Sequence, residues 1–126
     1  MSDFTPSLED YIEAVWFLSS GQPEVRLTDV ANRLGLSKAS VSRAMATLRE
    51  TGYLEQRKYG ALHLTEAGIR KAKEVAKRHE LLERFLTEVL KVDAAAAKID
   101  ACRMEHAISR ETMACLIDFM KKQETT

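Results

Sequence analysis

The chain has 126 residues, of which 45% are hydrophobic, 30% charged and 6% aromatic. This composition is typical of a soluble globular protein of one or two lobes and excludes a disordered chain. No run approaches the ~18 apolar residues of a membrane span, and the acidic N-terminus is unlike a signal peptide, so we expect a cytoplasmic protein without a membrane partner. The two cysteines form no CxxC pair, which indicates a reducing compartment without a disulfide framework.

The formal net charge is zero, but the charges are unevenly distributed along the chain. Residues 1–24 hold five acids and no Lys or Arg, giving −5. Residues 25–78 hold twelve bases and five acids, giving +7, and residues 79–126 hold seven bases and nine acids, giving −2. A basic middle segment can bind a polyanion, and the acidic ends can bind a cation. The alternative is that the charge varies at random over solvated surfaces.

Helices are predicted over most of the chain. Ser7, followed three residues later by Asp10 in a capping-box variant, predicts the start of a first helix, which ends at Gly21-Gln22-Pro23. Residues 53–65 predict two short strands around Tyr59-Gly60, which is typical of a hairpin or wing. Three further helices are predicted to begin at the caps Thr65, Asp93 and Ser109 and to end near Lys91, Ile108 and Lys122. The predicted fold class is therefore mainly α with a small β-hairpin.

Residues 27–54 have the pattern of a helix-turn-helix. Thr28 is expected to cap a short helix that runs to about residue 34, where Gly35 follows in the position that ends a helix. Ser37 then caps a second helix that stops near residue 52. Its expected inward face consists of Val41, Ala44, Met45 and Leu48. Two short helices joined by a tight, glycine-containing turn are typical of DNA-binding proteins.

The outward face of this second helix suits DNA. At about 100° per residue, Ala39, Ser42 and Arg43 lie opposite the apolar face, where small side chains allow close approach and Arg43 can bind guanine. Serine and lysine side chains at the helix start suit phosphate oxygens. The basic side chains of the hairpin would reach an adjacent stretch of the DNA backbone or the minor groove. The alternative is a helical hairpin with a solvated outer face. The predicted DNA-binding residues are Ser37, Lys38, Ala39, Ser40, Ser42, Arg43, Arg57 and Lys58.

Three segments carry potential metal ligands at helical spacing. The three sets are Asp10 with Glu13, His79 with Glu83, and Cys102 with Glu105 and His106. Each set alone is more often a surface pair or a buried cysteine, but a thiolate, imidazoles and carboxylates presented together indicate a divalent transition-metal site. We expect Asp10 and Glu13 to lie on the face of the first helix away from its apolar stripe. His63 and Cys115 fit no set and are interpreted as a hairpin residue and a core residue.

No enzyme is predicted. A nucleophilic pair of Cys102 and His106 lacks an orienting third residue and an oxyanion loop. A di-iron oxidase would need two Glu-x-x-His motifs on four long helices, and the sequence has neither a phosphate loop nor a dinucleotide fingerprint. We therefore expect no small organic substrate.

The motifs together resemble the metal-dependent repressor family typified by the diphtheria toxin repressor and the manganese transport regulator. The resemblance is carried by EDYIEAVWFL, LTDVANRLGLSKASVSRAMATLRETGYL, LTEAG, RHELLERFL and DACRMEHAIS. It implies a homodimeric winged helix-turn-helix repressor that binds a double-stranded DNA operator. The implied domains are an N-terminal DNA-binding domain over residues 1–70 and a C-terminal helical metal-binding and dimerisation domain over residues 71–126. The SH3-like domain of longer members is not expected, since only six residues follow Met120.

The resemblance also implies a hybrid ligand set. The CRMEH segment is similar to the iron-sensing branch of the family, whereas Asp10 and Glu13 match the manganese branch. Lys98 stands where iron sensors carry a further histidine. The implied ligands are Asp10, Glu13, His79, Glu83, Cys102, Glu105 and His106. Carboxylates suit Mn²⁺ and a thiolate suits Fe²⁺, so we expect one of these as corepressor, with Zn²⁺ or Co²⁺ able to bind in vitro.

The expected mechanism is a clasp, in which one cation joins Asp10 and Glu13 of the DNA-binding lobe to the ligands beyond residue 78 and fixes the spacing of the two recognition helices. Two neighbouring ions bridged by Glu105 are a further hypothesis. One alternative function is a winged-helix regulator that senses an oxidant or an organic ligand through Cys102. Another is a metal-buffering or oligomerising module without a DNA role.

Overall fold

The computed structural model describes residues 7–56 and 60–124, and the chain divides into two compact units, Met1–Val75 and Ala76–Thr126. Helices predominate in the described residues, and one two-stranded antiparallel sheet accompanies them, which confirms the predicted fold class. The predicted domain boundary after residue 70 stays a prediction. Within the described ranges, no helix combines the length and the apolar character that crossing a membrane requires.

The first helix, α1, spans Leu8–Gly21 and begins as predicted. The Ser7 backbone N–H donates to Asp10 Oδ2 at 2.9 Å, and the Asp10 N–H donates to Ser7 Oγ at 3.4 Å. These reciprocal bonds satisfy two backbone N–H groups that have no acceptor within the helix at its start. Asp10 thus has a local structural role in addition to any other function.

The helix-turn-helix consists of α2, Leu27–Leu34, and α3, Lys38–Glu50. The predicted cap at Thr28 is wrong, because the cap position of α2 is Arg26, two residues earlier, and the carboxylate of Asp29 accepts the Arg26 N–H at 2.9 Å. Gly35 ends α2 with φ +67°, a left-handed conformation that glycine adopts without a steric penalty. The Ser37 cap of α3 is confirmed by the Ser40 N–H, which donates to Ser37 Oγ at 3.1 Å.

The wing is a hairpin of β1, Leu54–Gln56, and β2, Leu62–Leu64, with Glu55 paired to His63. The Leu62 N–H also donates to the Val25 carbonyl at 2.8 Å, so the segment before α2 extends the sheet by an isolated bridge. Where the next helix begins, a Cβ on Gly68 would lie 2.1 Å from the carbonyl oxygen of Tyr53, so only glycine fits this close approach of helix and hairpin.

The first unit has an apolar core that all its elements share. The predicted inward face of α3 is confirmed, since Val41, Met45 and Leu48 are fully buried and Ala44 nearly so. The buried residues around them come from α1, α2 and the hairpin. They include Tyr11, Ile12, Ala14, Val15, Val25, Val30, Ala31, Leu54 and Leu62. This packing fixes the orientation of α3 relative to the rest of the unit.

Helix α4 spans Glu66–Arg84, and the Thr65 cap is confirmed by the Gly68 N–H, which donates to Thr65 Oγ1 at 3.1 Å. After Arg84 the helix continues as a π-helical turn, Phe85–Val89, so the helical conformation ends two residues before the predicted end near residue 91. The Thr87 hydroxyl donates to the Glu83 carbonyl at 3.0 Å, and such back-bonding competes with the helical ladder.

The second unit is completed by α5, Ala94–Ala107, and α6, Arg110–Glu124, capped as predicted by Asp93 and Ser109. Its buried cluster consists of Leu82, Leu86, Ala97, Ala101 and Met113. Cys115 is exposed, so its interpretation as a core residue is wrong. The inward stripe of α6 instead contains Met113 and Met120, and residue 115 lies about 200° around the helix from Met113.

Candidate metal centre and nucleic-acid interface

The DNA-binding residues predicted on α3 form one accessible face. Ser37, Lys38, Ala39, Ser42 and Arg43 are exposed, and Ser40 is half-buried. The surface therefore has small side chains and two long cations, Lys38 and Arg43, which suit the reading of a groove. Arg57 and Lys58, predicted to extend this interface from the hairpin, lie outside the described residues.

Hydrogen bonds orient one cation of this face before any ligand binds. Arg43 Nη2 lies 3.4 Å from Ser40 Oγ, and the Ser37 and Ser40 hydroxyl oxygens are 3.0 Å apart. A guanidinium held by such a contact loses less conformational entropy when it binds a base edge. The serines predicted as phosphate contacts thus also position Arg43.

Tyr11 of α1 also belongs to this region, although no motif in the sequence singles it out. It is 7% exposed. Burial raises the pKa of its phenol above the ordinary value, the Arg43 guanidinium opposes that rise, and the Asp10 carboxylate adds to it. Tyr11 is therefore within electrostatic reach of a predicted metal ligand and of a predicted base-reading residue.

A second arginine of α3, which sequence reasoning missed, ties the helix to the wing. Arg49 Nη1 donates to Gln56 Oε1 of β1 at 2.5 Å. Helical spacing gives no signal for this bond, because its partner lies on a strand. The contact joins the hairpin to α3, and the rest of the Arg49 side chain is exposed.

The two predicted ligands of α1 have different environments. Asp10 is only 7% exposed, whereas Glu13 is half-buried. The expectation that both lie on the face away from the apolar stripe is wrong for Asp10, because the capping bonds with Ser7 hold its carboxylate among the buried residues of α1. A buried carboxylate must be compensated by hydrogen bonds or by a cation.

In the second unit, the side chain of Glu105, one of the predicted ligands, is only 3% exposed. Its Oε1 accepts a hydrogen bond from Arg78 Nη2 at 3.2 Å. Its buried Oε2 lies 3.6 Å from Nδ1 of His79, whose side chain is 16% exposed. The structure thus brings His79 and Glu105 together, as the predicted site requires, and adds Arg78, which the sequence analysis did not single out.

The remaining predicted ligands of this unit are partly placed. Glu83 lies on α4 and is half-buried, and Cys102 lies on α5 one turn before Glu105 and is also half-buried. The side chain of His106 lies outside the described part. Among the side chains that are described, no three His, Cys, Asp or Glu residues form a group arranged to hold a metal ion. The complete ligand set therefore stays a prediction.

The chemistry of the donors that are present fits a divalent transition ion. The carboxylate of Glu105 is a hard oxygen donor, and the imidazole of His79 is a nitrogen donor suited to Mn, Fe, Co and Zn. Burial lowers the local dielectric constant and strengthens the attraction of the carboxylate for a cation. The same burial explains why a guanidinium lies beside Glu105.

Comparison with known families matches both halves of the chain. Residues 3–62 match the model described as "Iron dependent repressor, N-terminal DNA binding domain". Residues 65–126 match the model described as "Iron dependent repressor, metal binding and dimerisation domain". The two matches cover nearly the whole chain.

Two curated relatives are similar along most of their length. An uncharacterised helix-turn-helix transcriptional regulator of Methanocaldococcus jannaschii is 33% identical over 117 residues, which are 92% of this chain and 94% of that protein. The transcriptional regulator MntR of Lysinibacillus sphaericus is 34% identical over 120 residues, which are 95% of this chain and 86% of that protein.

Solved structures share the fold. A manganese-dependent transcriptional repressor in complex with manganese superposes with a TM-score of 0.79 at 30% identity, covering 91% of this chain and 53% of that one. The manganese regulator SloR superposes with a TM-score of 0.79 at 25% identity, covering 94% of this chain and 55% of that one. The chain thus spans about half the length of these solved proteins.

Proposed function

The chain belongs to the iron-dependent repressor family, and on that premise we propose that it is a metal-activated, DNA-binding transcriptional regulator that represses genes of metal homeostasis in the cytoplasm. It acts as a homodimer on double-stranded DNA. The proposal assigns no catalytic step and no organic substrate to the chain. The observation that carries it is the buried Glu105 carboxylate beside His79, in a chain whose other unit exposes a helix-turn-helix face.

The DNA-binding part of the proposal depends on α3. Arg43 reads a base edge in the major groove, and the Ser37 and Lys38 end of the helix contacts phosphates. Ala39 and Ser42 are small enough to let the backbone of α3 approach the base edges. Two copies of this face in a dimer match half-sites separated by one DNA turn, ~34 Å, or a multiple of it.

The corepressor that we propose is Mn²⁺ or Fe²⁺, with Zn²⁺ and Co²⁺ able to replace it in vitro. When bound, the divalent ion neutralises carboxylates that otherwise repel one another. Four predicted ligands are carboxylates, which suit Mn²⁺, whereas the thiolate of Cys102 suits Fe²⁺. The names of relatives such as MntR and of the manganese-dependent repressor support manganese as the first candidate.

Control of DNA binding follows from which residues share the ligand set. Asp10 and Glu13 belong to α1 of the DNA-binding unit, and the other proposed ligands belong to the second unit. Occupancy of a set that draws on both units favours the DNA-competent dimer, and a coupling of ~1–3 kcal/mol per site is typical of such switches. Asp10 would contribute a carboxylate that the cap of α1 already orients.

The experiment is a DNA-binding selection under anaerobic conditions. A random-sequence duplex library is enriched by the full chain in 0.1 mM Mn²⁺, and the affinity for the enriched duplex is measured with Mn²⁺, Fe²⁺, Co²⁺, Zn²⁺ or EDTA. We expect an affinity ~5–150-fold higher with Mn²⁺ or Fe²⁺ than with EDTA. Equal affinity with EDTA would contradict metal activation, and a response only to peroxide in the metal-free protein would assign the sensing to Cys102.

A further inference from the structure

The Arg78–Glu105 ion pair is not needed for any role proposed so far. The two residues are 27 positions apart and come from α4 and α5 of the same unit. Glu105 contributes a side chain that is 3% exposed, and Arg78 one that is 21% exposed. A carboxylate that belongs to the proposed metal site is therefore already paired with a positive charge.

Burial makes this charge necessary. A carboxylate removed from water without a compensating partner strongly destabilises the folded chain. A guanidinium stays protonated under all ordinary conditions, so Arg78 supplies a permanent positive charge, whereas His79 is charged only when it is protonated. Arg78 is thus the permanent counter-ion of Glu105 in this structure.

The exposure of Arg78 gives its side chain an alternative position. Because its side chain reaches solvent, the guanidinium can leave Glu105 and remain hydrated while the aliphatic stem stays packed. The Glu105 carboxylate, which is almost fully enclosed, has no equivalent exit. Of the two partners, only Arg78 can move into solvent, and its departure leaves the enclosed Glu105 carboxylate in need of another cation.

A guanidinium and a divalent ion on one enclosed carboxylate repel each other at a low effective dielectric constant. We propose that Arg78 occupies the Glu105 carboxylate in the metal-free protein and that a divalent cation must displace it, so Arg78 sets the metal concentration at which the site fills. This inference rests on the proposed function and adds to it a residue that tunes affinity. Arg78 is a positioning residue and not a ligand.

Two consequences follow from this competition. The metal-free protein is stabilised, since Glu105 keeps a partner when the ion is absent. Metal affinity is lowered, because part of the binding free energy is spent on separating the ion pair, and the site responds only above a threshold concentration. Substituting Arg78 with an uncharged residue of similar length should therefore change these two properties in opposite directions.

The experiment measures both properties in the full chain for Arg78→Met. Mn²⁺ affinity is measured by competition with a fluorescent chelator, and thermal unfolding is followed in EDTA. We expect Mn²⁺ to bind about tenfold more tightly and the metal-free protein to melt at a lower temperature. Arg78→Lys, which keeps the charge, should stay near the wild type in both measurements. Lys77→Met removes an exposed charge from the adjacent position of α4 and should change neither.

A double-mutant cycle separates this inference from the proposed function. In EDTA, Arg78→Met should destabilise the wild-type chain but not the chain carrying Glu105→Gln, because the carboxylate is then absent. Equal or weaker Mn²⁺ binding by Arg78→Met, beside normal binding by the wild type, would overturn the competition and leave the proposed function intact. Failure of the wild type to bind either Mn²⁺ or, under anaerobic conditions, Fe²⁺ would overturn the proposed function and the competition, while the cycle would still decide whether Arg78 is the counter-ion.

Discussion

The two units of the chain use buried space differently. The first unit buries a cluster of fourteen residues drawn from all its elements, and the comparable cluster of the second unit, in the part of the chain that is described, has five. The second unit instead encloses a carboxylate between an arginine and a histidine. In the first unit, packing holds the proposed DNA-binding face of α3 in place. In the second unit, the enclosed carboxylate makes the stability of the fold depend on a compensating cation.

The charged side chains follow the same division. Arg43 and Lys38, which we propose contact DNA, are exposed on α3, where binding a polyanion costs no packing. Glu105 is enclosed in the second unit, where its attraction for a cation is strong. The first unit is thus interpreted as a rigid frame for the proposed DNA-binding face and the second as a metal sensor. Substitutions in the two units should therefore impair different properties.

The largest effect is expected in the frame. Leu48→Ala removes a fully buried side chain of α3 and should lower the free energy of unfolding by ~2–5 kcal/mol. DNA binding should then weaken with and without metal, because the whole reading surface loses its support. Chemical denaturation measures the loss, and Leu8→Ala, at a position 41% exposed, is the control expected to change it little. If Leu48→Ala left the fold intact and removed only the metal-dependent part of DNA binding, the division between frame and sensor would be contradicted.

In the sensor, Glu105→Gln should leave helical content unchanged and remove the metal response of DNA binding. Loss of residues that only support metal ligands lowers metal affinity ~10–100-fold, so loss of the ligand itself should exceed ~100-fold. Calorimetric titration with Mn²⁺ tests this, with Glu111→Gln at an exposed position of α6 as the control. Unchanged Mn²⁺ affinity would remove Glu105 from the ligand set.

On the reading surface, Arg43→Ala should weaken binding to the selected duplex by ~1–3 kcal/mol and leave binding to random DNA almost unchanged. Lys38→Ala should instead weaken both similarly and reduce the salt dependence by about one phosphate contact. Fluorescence anisotropy at several salt concentrations separates the two. Equal loss on both duplexes for Arg43→Ala would reassign that residue to the phosphate backbone.

The smallest effect tests the turn between α2 and α3. Gly35→Ala places a side chain at φ +67° with open space around it, so the ~1–2 kcal/mol expected loss is purely conformational. Gly21→Ala, also in open space but without a positive φ, should be neutral or slightly stabilising. Thermal unfolding of the two variants provides the comparison, and equal melting temperatures would refute the conformational origin.

Local features of the fold could be predicted from the sequence because their partners are a few residues apart. The caps at Ser7, Ser37, Thr65, Asp93 and Ser109 are such cases, and all five were predicted. The cap of α2 was predicted wrongly because the residue at the cap position, Arg26, is not a typical capping residue, and Asp29 instead accepts the backbone N–H at the helix start.

Features that depend on distant partners could not be predicted. The Arg78–Glu105 pair joins two helices across 27 residues, and the exposure of Cys115 depends on which face of α6 meets the second core. The π-helical turn after Arg84 contains Thr87, whose hydroxyl donates to the Glu83 carbonyl, and periodicity alone does not reveal this turn. Residue type identified the candidate ligands, but only packing decides which of them are enclosed.

The most direct measurement of the central idea is thermodynamic reciprocity. The Mn²⁺ affinity of the wild-type chain is measured in the absence and in the presence of saturating selected duplex. If metal and DNA act on one conformational equilibrium, the duplex should raise Mn²⁺ affinity by the same factor, ~5–150-fold, by which Mn²⁺ raises DNA affinity. Identical Mn²⁺ affinity with and without the duplex would show that the two sites are independent and would contradict metal control of DNA binding.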